Sequence, residues 1–130
     1  MVTEVRKKVL IVDDEPSMVS ILKRYVSNAG YEFDSATNGQ DALDKIEKNQ
    51  PDLVLLDLVM PGLNGFETCR RIRDAEKTKK LPVLIITALR SQSDSAAAAD
   101  SGANEFLVKP IDGAELVKRL RHHLGSPFKI

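Results

Sequence analysis

Short, continuous apolar runs alternate along this chain with longer stretches in which apolar residues recur every three or four positions. Short runs of this kind predict buried strands, whereas the spacing of three and four predicts amphipathic helices. The second run alternates only weakly between apolar and polar residues, which indicates an edge strand. The pattern predicts five strands, at residues 9–12, 31–36, 53–57, 83–87 and 105–108.

Signals for the start of a helix follow the predicted strands. Pro16 suits the first turn of a helix, because its missing N–H would be unpaired there in any case. Asn38 can cap the second helix, and Asn64 and Asp112 each stand three residues before a glutamate, which is the spacing of a capping box. A further helix is predicted over residues 91–101, where a run of alanines gives it an unusually small surface.

Strict alternation of strands and helices predicts an α/β fold, with a doubly wound, five-stranded parallel sheet covered by helices on both faces. In such sheets, ligands bind beyond the carboxyl ends of the strands, where the strand order reverses. No glycine-rich loop follows the first strand, which disfavours dinucleotide and P-loop sites. The polar residues of chemical interest all fall at strand ends: Asp13 and Asp14 at the first, Asp57 at the third, Thr87 at the fourth and Lys109 at the fifth.

Composition sets limits on the function. A chain of 130 residues predicts one domain, and its 19 basic and 19 acidic residues leave no net charge to attract nucleic acid or an anionic membrane. The single cysteine permits no internal disulfide, which fits a reducing compartment. The apolar run at residues 9–12 is too short for a signal peptide or a membrane span. We therefore expect a cytoplasmic protein that binds neither nucleic acid nor membranes.

Three carboxylates at one edge of the sheet would repel one another. Two of them about 4 Å apart repel by roughly 4 kcal/mol at an effective dielectric constant of about 20. Asp13, Asp14 and Asp57 therefore need a cation to stay ionised together, and an all-oxygen ligand set favours a partly hydrated Mg²⁺. With the Lys109 ammonium and the Thr87 hydroxyl beside it, the set is suited to hold a phosphoryl group on a carboxylate, as an aspartyl phosphate.

The chain contains, in this order, the segments VLIVDDEP, LVLLDLVMPGLNGFE, PVLIITA and GANEFLVKP. Together they resemble the receiver domain of two-component response regulators, over residues 9–124. The resemblance implies a flavodoxin-like sheet with strand order 2-1-3-4-5. It also implies a phosphorelay module rather than an enzyme: a phosphohistidine of a sensor histidine kinase or histidine phosphotransfer protein donates the phosphoryl group, and the domain catalyses only its own phosphorylation and slow autodephosphorylation.

The resemblance assigns a role to each residue at this edge of the sheet. Asp57 would be the phosphoacceptor and a ligand of Mg²⁺. Asp14 would bind the ion directly, and Asp13 would act largely through water or by orienting other ligands. The backbone carbonyl of Val59 would be a further metal ligand. Lys109 would bind a phosphoryl oxygen, and its bond to the following proline would be cis.

A switch is implied by two further positions. Thr87 would move to bind a phosphoryl oxygen, and Phe106 would turn into the space behind it. The face formed by the fourth helix, fifth strand and fifth helix would then change and bind an output protein or an effector domain. The kinase would dock near the first helix and the loop after the fifth strand, where Val19, Pro110 and Ile111 offer apolar contacts.

Two features depart from common patterns of the family. Apolar Val59 and Leu89 stand at positions that tune hydrolysis of the phosphoryl group, and neither can hydrogen-bond an attacking water, so we expect slow autodephosphorylation. Arg119 and Arg121 match basic positions used in dimers of DNA-binding regulators, but the predicted fourth helix has Ser95 and alanines where a basic residue is common. A phosphorylation-dependent dimer is therefore left open.

Two alternatives also stay open. We assign the receiver domain to residues 1–124 and a C-terminal tail, or the start of a linker, to residues 125–130, so the chain could stand alone or belong to a longer regulator with an effector domain. An aspartyl-phosphate phosphatase has a similar sheet and a nucleophilic aspartate. That class is disfavoured, because its first strand ends in D-x-D, whereas this chain has Asp13 and Asp14 adjacent and its candidate nucleophile on the third strand.

Overall fold

The computed structural model contains the predicted alternation of strands and helices. It describes residues 5–58, 62, 64–88, 96 and 100–129. Within these ranges the strands are β1 (Lys8–Val12), β2 (Glu32–Ala36), β3 (Leu53–Leu56), β4 (Val83–Thr87) and β5 (Glu105–Val108). The complete helices are α1 (Pro16–Asn28), α2 (Gly39–Lys48), α3 (Gly65–Asp74) and a C-terminal helix (Gly113–Leu124).

The helix predicted over residues 91–101 lies mostly outside the described residues. Ala96 and Asp100 are helical, and Ser101 and Gly102 form a turn before β5. Across the described ranges, no helix is both long enough and apolar enough to cross a membrane.

The five strands form one parallel sheet in the order β2-β1-β3-β4-β5, as predicted. The strand order reverses between β1 and β3, because the chain runs from β1 outward to β2 and then returns to β3 on the other side. The carboxyl ends of these two neighbouring strands flank the crevice in which sheets of this type bind ligands. The topology therefore brings the acidic residues that follow β1 and β3 to one place.

Two apolar layers cover the sheet. Strands β1, β3 and β4 are buried almost throughout, as their continuous apolar sequences predict. One layer packs the sheet against α2 and α3, through residues such as Ile46 and Ile72. The other packs it against α1 and the C-terminal helix, through residues such as Leu22 and Leu120. Strand β2 is exposed over most of its length, which confirms the predicted edge strand.

The predicted caps start three of the helices. The Asn38 side chain accepts a hydrogen bond from the Asp41 N–H at 2.8 Å, and the Asn64 side chain accepts one from the Glu67 N–H at 2.9 Å. The Asp112 side chain accepts hydrogen bonds from the Ala114 N–H at 2.9 Å and from the Glu115 N–H at 3.4 Å. At the start of α1 the N-cap residue is Glu15, which makes no side-chain cap hydrogen bond.

Helix α3 begins directly against the end of β3. The Gly65 N–H donates to the Leu58 carbonyl at 3.1 Å. A Cβ at Gly65 would lie 2.4 Å from the Asp57 carbonyl oxygen and 2.7 Å from the Leu58 Cα. Both are backbone atoms, which cannot turn aside as a side chain would, so this close approach requires glycine.

The residues after the C-terminal helix fold back along the segment that leads into β1. The Lys7 N–H donates to the Pro127 carbonyl at 2.7 Å, and the Lys129 N–H donates to the Val5 carbonyl at 2.9 Å. Arg6 and Phe128 form an antiparallel bridge between them. The tail therefore packs at the amino edge of the sheet, the edge opposite to Asp57.

Replacing Asn38 by alanine should lower the free energy of unfolding by about 0.5–2 kcal/mol, because the Asp41 N–H loses its acceptor. Glu15→Ala is the matched control, since Glu15 holds the same N-cap position without a cap hydrogen bond. Chemical denaturation of the two variants measures both changes. Equal losses would contradict the stabilising role of the Asn38 cap.

Replacing Gly65 by alanine should cost about 1–3 kcal/mol of stability and displace the Asp57 backbone, because the new methyl group overlaps backbone atoms. Gly125→Ala is the control: its φ of 66° strains an alanine, but no atom of the described residues lies within 4 Å of the new Cβ. Amide NMR shifts of Asp57 and Leu58 should move in the first variant and stay in place in the second. Unmoved shifts in Gly65→Ala would refute the steric argument.

Candidate functional site

Asp13 and Asp57 lie side by side at the carboxyl ends of β1 and β3. The Asp57 N–H donates to the Val12 carbonyl at 2.9 Å, and the Asp13 N–H donates to the Ala36 carbonyl at 3.1 Å, so both residues extend the ladder of the sheet. Asp13 is 1% exposed and Asp57 is 6% exposed, whereas Asp14 is exposed at the rim. Two of the three predicted carboxylates are thus buried where the strand order reverses, and the third lies at the rim.

The three carboxylates form a cluster that fits a divalent cation. One oxygen from each of Asp13, Asp14 and Asp57 lies within 4.8 Å of the other two, and this is the one group of three potential metal ligands that the described part of the chain contains. Two oxygens bound to one Mg²⁺ at about 2.0–2.1 Å lie at most about 4.2 Å apart. The carboxylates would therefore need to move slightly closer together to bind one ion directly, or a water molecule would bridge one of them to the ion.

Lys109 supplies positive charge to the buried carboxylates. Its Nζ lies 3.2 Å from Oδ2 of Asp13 and 3.7 Å from Oδ2 of Asp57, and its side chain is 14% exposed. The Lys109 N–H donates to the Thr87 carbonyl at 2.8 Å, which continues the pairing of β5 with β4. The Lys109–Pro110 bond is cis, as the sequence resemblance implies.

Asp13 is held on both of its carboxylate oxygens. Oδ1 accepts a hydrogen bond from the Glu15 N–H at 3.0 Å, and Oδ2 faces the Lys109 ammonium. These contacts fix the orientation of the side chain. Three carboxylates stand against one ammonium in this site, so two negative charges remain for a divalent cation to balance.

Thr87 and Phe106 lie on one face of the sheet. Thr87 is 1% exposed at the end of β4, and Phe106 pairs in register with Ile85, two residues before Thr87. Side chains of a strand alternate between faces, so Thr87 and Ile85 point to the same side. Phe106 is half-buried and packs against the apolar layer beneath α2 and α3. The predicted switch residues are therefore neighbours.

Three sequence predictions fall outside the described residues. They concern the Val59 carbonyl as a metal ligand, Leu89 as a determinant of phosphoryl lifetime, and Ser95 in the alanine-rich helix. These remain predictions from the sequence.

Charged contacts join β5 to the C-terminal helix. Glu105 pairs with Arg119 at 2.7 Å and with His123 one turn later. Hydrogen bonding to Glu115, and then the charges of Glu105 and Glu115, raise the pKa of the Arg119 guanidinium above its usual value. Arg121 donates to the Ala29 carbonyl at 2.7 Å. Both arginines that the sequence suggests for a dimer thus have partners within the chain.

Two positions that support the site carry no chemical signal in the sequence. Gly65 allows α3 to start against Asp57, as described above. Arg73, near the end of α3, contacts the segment that leads into β5. The Asn64–Gly65 pair marks the start of a helix in the sequence, but neither the close approach at Gly65 nor the reach of Arg73 follows from a periodic pattern.

Comparison with known proteins identifies relatives with the same domain. The family model described as "Response regulator receiver domain" matches residues 9–121. Response regulator ArlR of Staphylococcus aureus (strain Mu50 / ATCC 700699) is 40% identical over 114 residues, which are 88% of this chain and 51% of ArlR. The chain spans between 25% and 51% of the length of the curated relatives it matches first.

Solved structures agree in fold and in sequence. The chemotaxis protein CheY4 of Vibrio cholerae superposes with a TM-score of 0.86 at 33% identity, over 92% of this chain and 100% of that one. The receiver domain of the sensor histidine kinase PA1611 of Pseudomonas aeruginosa PAO1, solved with a magnesium ion coordinated in its active-site cleft, gives 0.86 at 29% identity, over 94% and 100%. The chain belongs to the response regulator receiver domain family of two-component signalling proteins.

Proposed function

We propose that this receiver accepts a phosphoryl group on Asp57, with Mg²⁺, from the phosphohistidine of a sensor histidine kinase or a histidine phosphotransfer protein. One observation carries the proposal: the buried Asp57 carboxylate faces Lys109 and lies beside two further carboxylates where the strand order reverses. A buried carboxylate is stable only when it is paired, and Lys109 balances one of the three carboxylate charges, which leaves the others for a metal ion to balance.

Asp13, Asp14 and Asp57 would hold the ion. Asp13 is fixed by the Glu15 N–H and by Lys109, which supports a role in orienting bound water and the other ligands. Asp14 is exposed, so its carboxylate can turn toward an ion that enters from solvent. The Val59 carbonyl would complete the protein ligands. When bound, Mg²⁺ supplies positive charge against the phosphoryl oxygens.

Asp57 would be the nucleophile. Its carboxylate oxygen forms a bond to phosphorus while the phosphorus–nitrogen bond of the phosphohistidine breaks, and the electron pair of that bond returns to the imidazole ring. Lys109 already lies within 3.7 Å of the Asp57 carboxylate, and it would bind an oxygen of the transferred group. Such a preorganised cation stabilises the charge of the transition state without having to move.

Phosphorylation would bias a two-state switch. Thr87 would move to donate a hydrogen bond to a phosphoryl oxygen, and Phe106 would turn into the space that Thr87 leaves. The position of both residues on one face of the sheet supports this coupling. Moving such an equilibrium from about 1:99 to about 99:1 takes about 5.5 kcal/mol. The face of the fourth helix, β5 and the C-terminal helix would then bind an output protein or an effector domain.

The same face would carry any phosphorylation-dependent dimer. In the present conformation Arg119 faces Glu105 and Glu115, so a dimer held by Arg119 would exchange these contacts for contacts to a second copy. The kinase would dock near α1 and the loop after β5, where the partly buried Val19 and Ile111, together with Pro110, offer apolar contacts. Because the single cysteine fits a reducing compartment, we place these encounters in the cytoplasm.

We also propose that residues 1–124 are the receiver domain and that residues 125–130 are a C-terminal tail or the start of a linker. The family match ends at residue 121, and the C-terminal helix ends at Leu124. Antiparallel pairing of the tail with residues 5–7 would hold the exit of the chain at the sheet edge opposite to Asp57. An effector domain, where one follows, would start from that edge.

Incubation with acetyl phosphate and MgCl₂ should add one phosphoryl group to the protein, measured by intact mass. Asp57→Asn should abolish the addition, because the amide is a much poorer nucleophile than the carboxylate. Asp34→Asn, on the exposed edge strand, is the matched control and should be modified like the wild type. Addition to Asp57→Asn, or addition that persists in excess EDTA, would contradict the proposal.

The phosphorylated protein should lose its phosphoryl group over minutes or longer. Val59 and Leu89 offer no hydrogen bond to an attacking water, and general base assistance of this kind is typically worth about 10²–10⁴-fold in rate. Polar substitutions at both sites, Val59→Asn and Leu89→Glu, should speed the decay, measured by intact mass after removal of acetyl phosphate. Decay of the wild type within seconds would rule out this explanation.

A further inference from the structure

We propose that Arg73 is a positioning residue for the switch: through Asn104 it fixes where β5 begins on β4, and so where Phe106 stands relative to Thr87. The inference rests on the proposed phosphorylation of Asp57. Arg73 contacts none of the acidic residues, Lys109 or Thr87 in the described structure, so its effect would pass through the backbone of β5.

The Arg73 guanidinium joins the end of α3 to the two segments that lead into β4 and β5. Nε donates to the Gly102 carbonyl at 2.7 Å, one terminal nitrogen donates to the Leu81 carbonyl at 2.6 Å, and the other donates to the Asn104 side-chain oxygen at 2.7 Å. A longer contact of 3.4 Å reaches the Thr78 carbonyl. All four acceptors are neutral oxygens, which distinguishes this contact from the surface ion pairs of the neighbouring arginines.

Asn104 links the Arg73 contact to the register of β5 on β4. Its side-chain oxygen also accepts a hydrogen bond from the Val83 N–H at 2.8 Å, and its own N–H donates to the Val83 carbonyl at 2.8 Å. Asn104 is thus clamped to the first residue of β4 from both sides. The pairs that follow place Phe106 opposite Ile85 and Val108 opposite Thr87.

A second contact secures the same segment. The Cys69 thiol hydrogen-bonds with Ser101, and burial raises the pKa of that thiol, while the Ser101 hydrogen bond and the Arg73 charge act in the opposite direction. Gly102 has a φ of +93°, and a Cβ there would lie 2.6 Å from the Arg73 Cγ. Helix α3 therefore contacts this segment at three residues, Ser101, Gly102 and Asn104.

The geometry requires arginine rather than any cation. A guanidinium presents five N–H donors in a rigid planar fork, whereas a lysine ammonium is a compact point charge. Lysine at this position would keep the positive charge but could not reach the Gly102, Leu81 and Asn104 oxygens together. Arg73→Lys therefore separates the positioning effect from a general effect of charge.

The test uses protein labelled with 4-fluorophenylalanine, whose four phenylalanines give four ¹⁹F signals. Phe106→Leu assigns the signal of Phe106. Acetyl phosphate with MgCl₂ should shift this signal in the wild type. In phosphorylated Arg73→Lys, the ratio of switched to unswitched Phe106 signal should be about 2–30-fold lower than in the phosphorylated wild type. A change of this size is usual for coupling effects at a distance.

Controls separate this effect from lost stability and from failed chemistry. Arg71→Lys lies on the same helix, and among the described residues Arg71 pairs with Glu67 alone; this variant should switch like the wild type, and so should the destabilised Asn38→Ala. Asn104→Ala should reproduce the loss, and its combination with Arg73→Lys should be less than additive. If Arg73→Lys does not fold, Asn104→Ala alone decides the matter.

Intact mass on each sample distinguishes the two possible failures. A wild type that takes no phosphoryl group refutes the proposed function. A wild type that is phosphorylated and switches, together with an Arg73→Lys or Asn104→Ala variant whose Phe106 signal shifts to the same extent, overturns the positioning role of Arg73 while leaving the proposed function intact.

Discussion

The concentration of negative charge at the carboxyl ends of β1 and β3 is the constraint on which this structure depends. Asp13 and Asp57 are almost fully buried. Asp14 lies at the rim, with a carboxylate oxygen within 4.8 Å of an oxygen of each of the other two. Burying unpaired charge costs several kcal/mol per ion, so these carboxylates need partners. Lys109 meets part of that need. A divalent cation and a phosphoryl group together would satisfy the rest, which links the energetics of the site to its proposed chemistry.

The fold brings the residues of this site together from distant parts of the chain. Reversal of the strand order at β1 and β3 places two aspartates that are far apart in sequence next to each other. Lys109 follows β5, the edge strand beyond β4, and reaches the same carboxylates. Glycine at position 65 lets α3 close over the end of β3. Near the other end of α3, Arg73 donates hydrogen bonds to Gly102 and Asn104, in the segment before β5. One helix thus lies against the backbone of the proposed phosphoacceptor at its start and contacts the segment that leads into the strand with Phe106 at its end.

Periodicity and end signals were enough to predict the strands, three caps and the edge position of β2, because these depend on burial and on local hydrogen bonds. The sequence also predicted that Asp13, Asp14 and Asp57 would meet, and the structure confirms their cluster. It could not predict Gly65 or Arg73, since their roles arise from close contacts between segments distant along the chain. The contact of Arg119 with Glu105 was missed for the same reason, because Glu105 lies on a different element and no sequence pattern links the two residues.

The most direct test of the central claim identifies the residue that carries the phosphoryl group. Wild-type protein is incubated with acetyl phosphate and MgCl₂, then treated with sodium borohydride, which reduces an aspartyl phosphate to homoserine, and the peptides are sequenced by mass spectrometry. The account predicts homoserine at position 57 and unmodified aspartate at positions 13 and 14. Homoserine at position 13 or 14, or phosphate recovered on a serine, threonine or histidine with Asp57 intact, would contradict it.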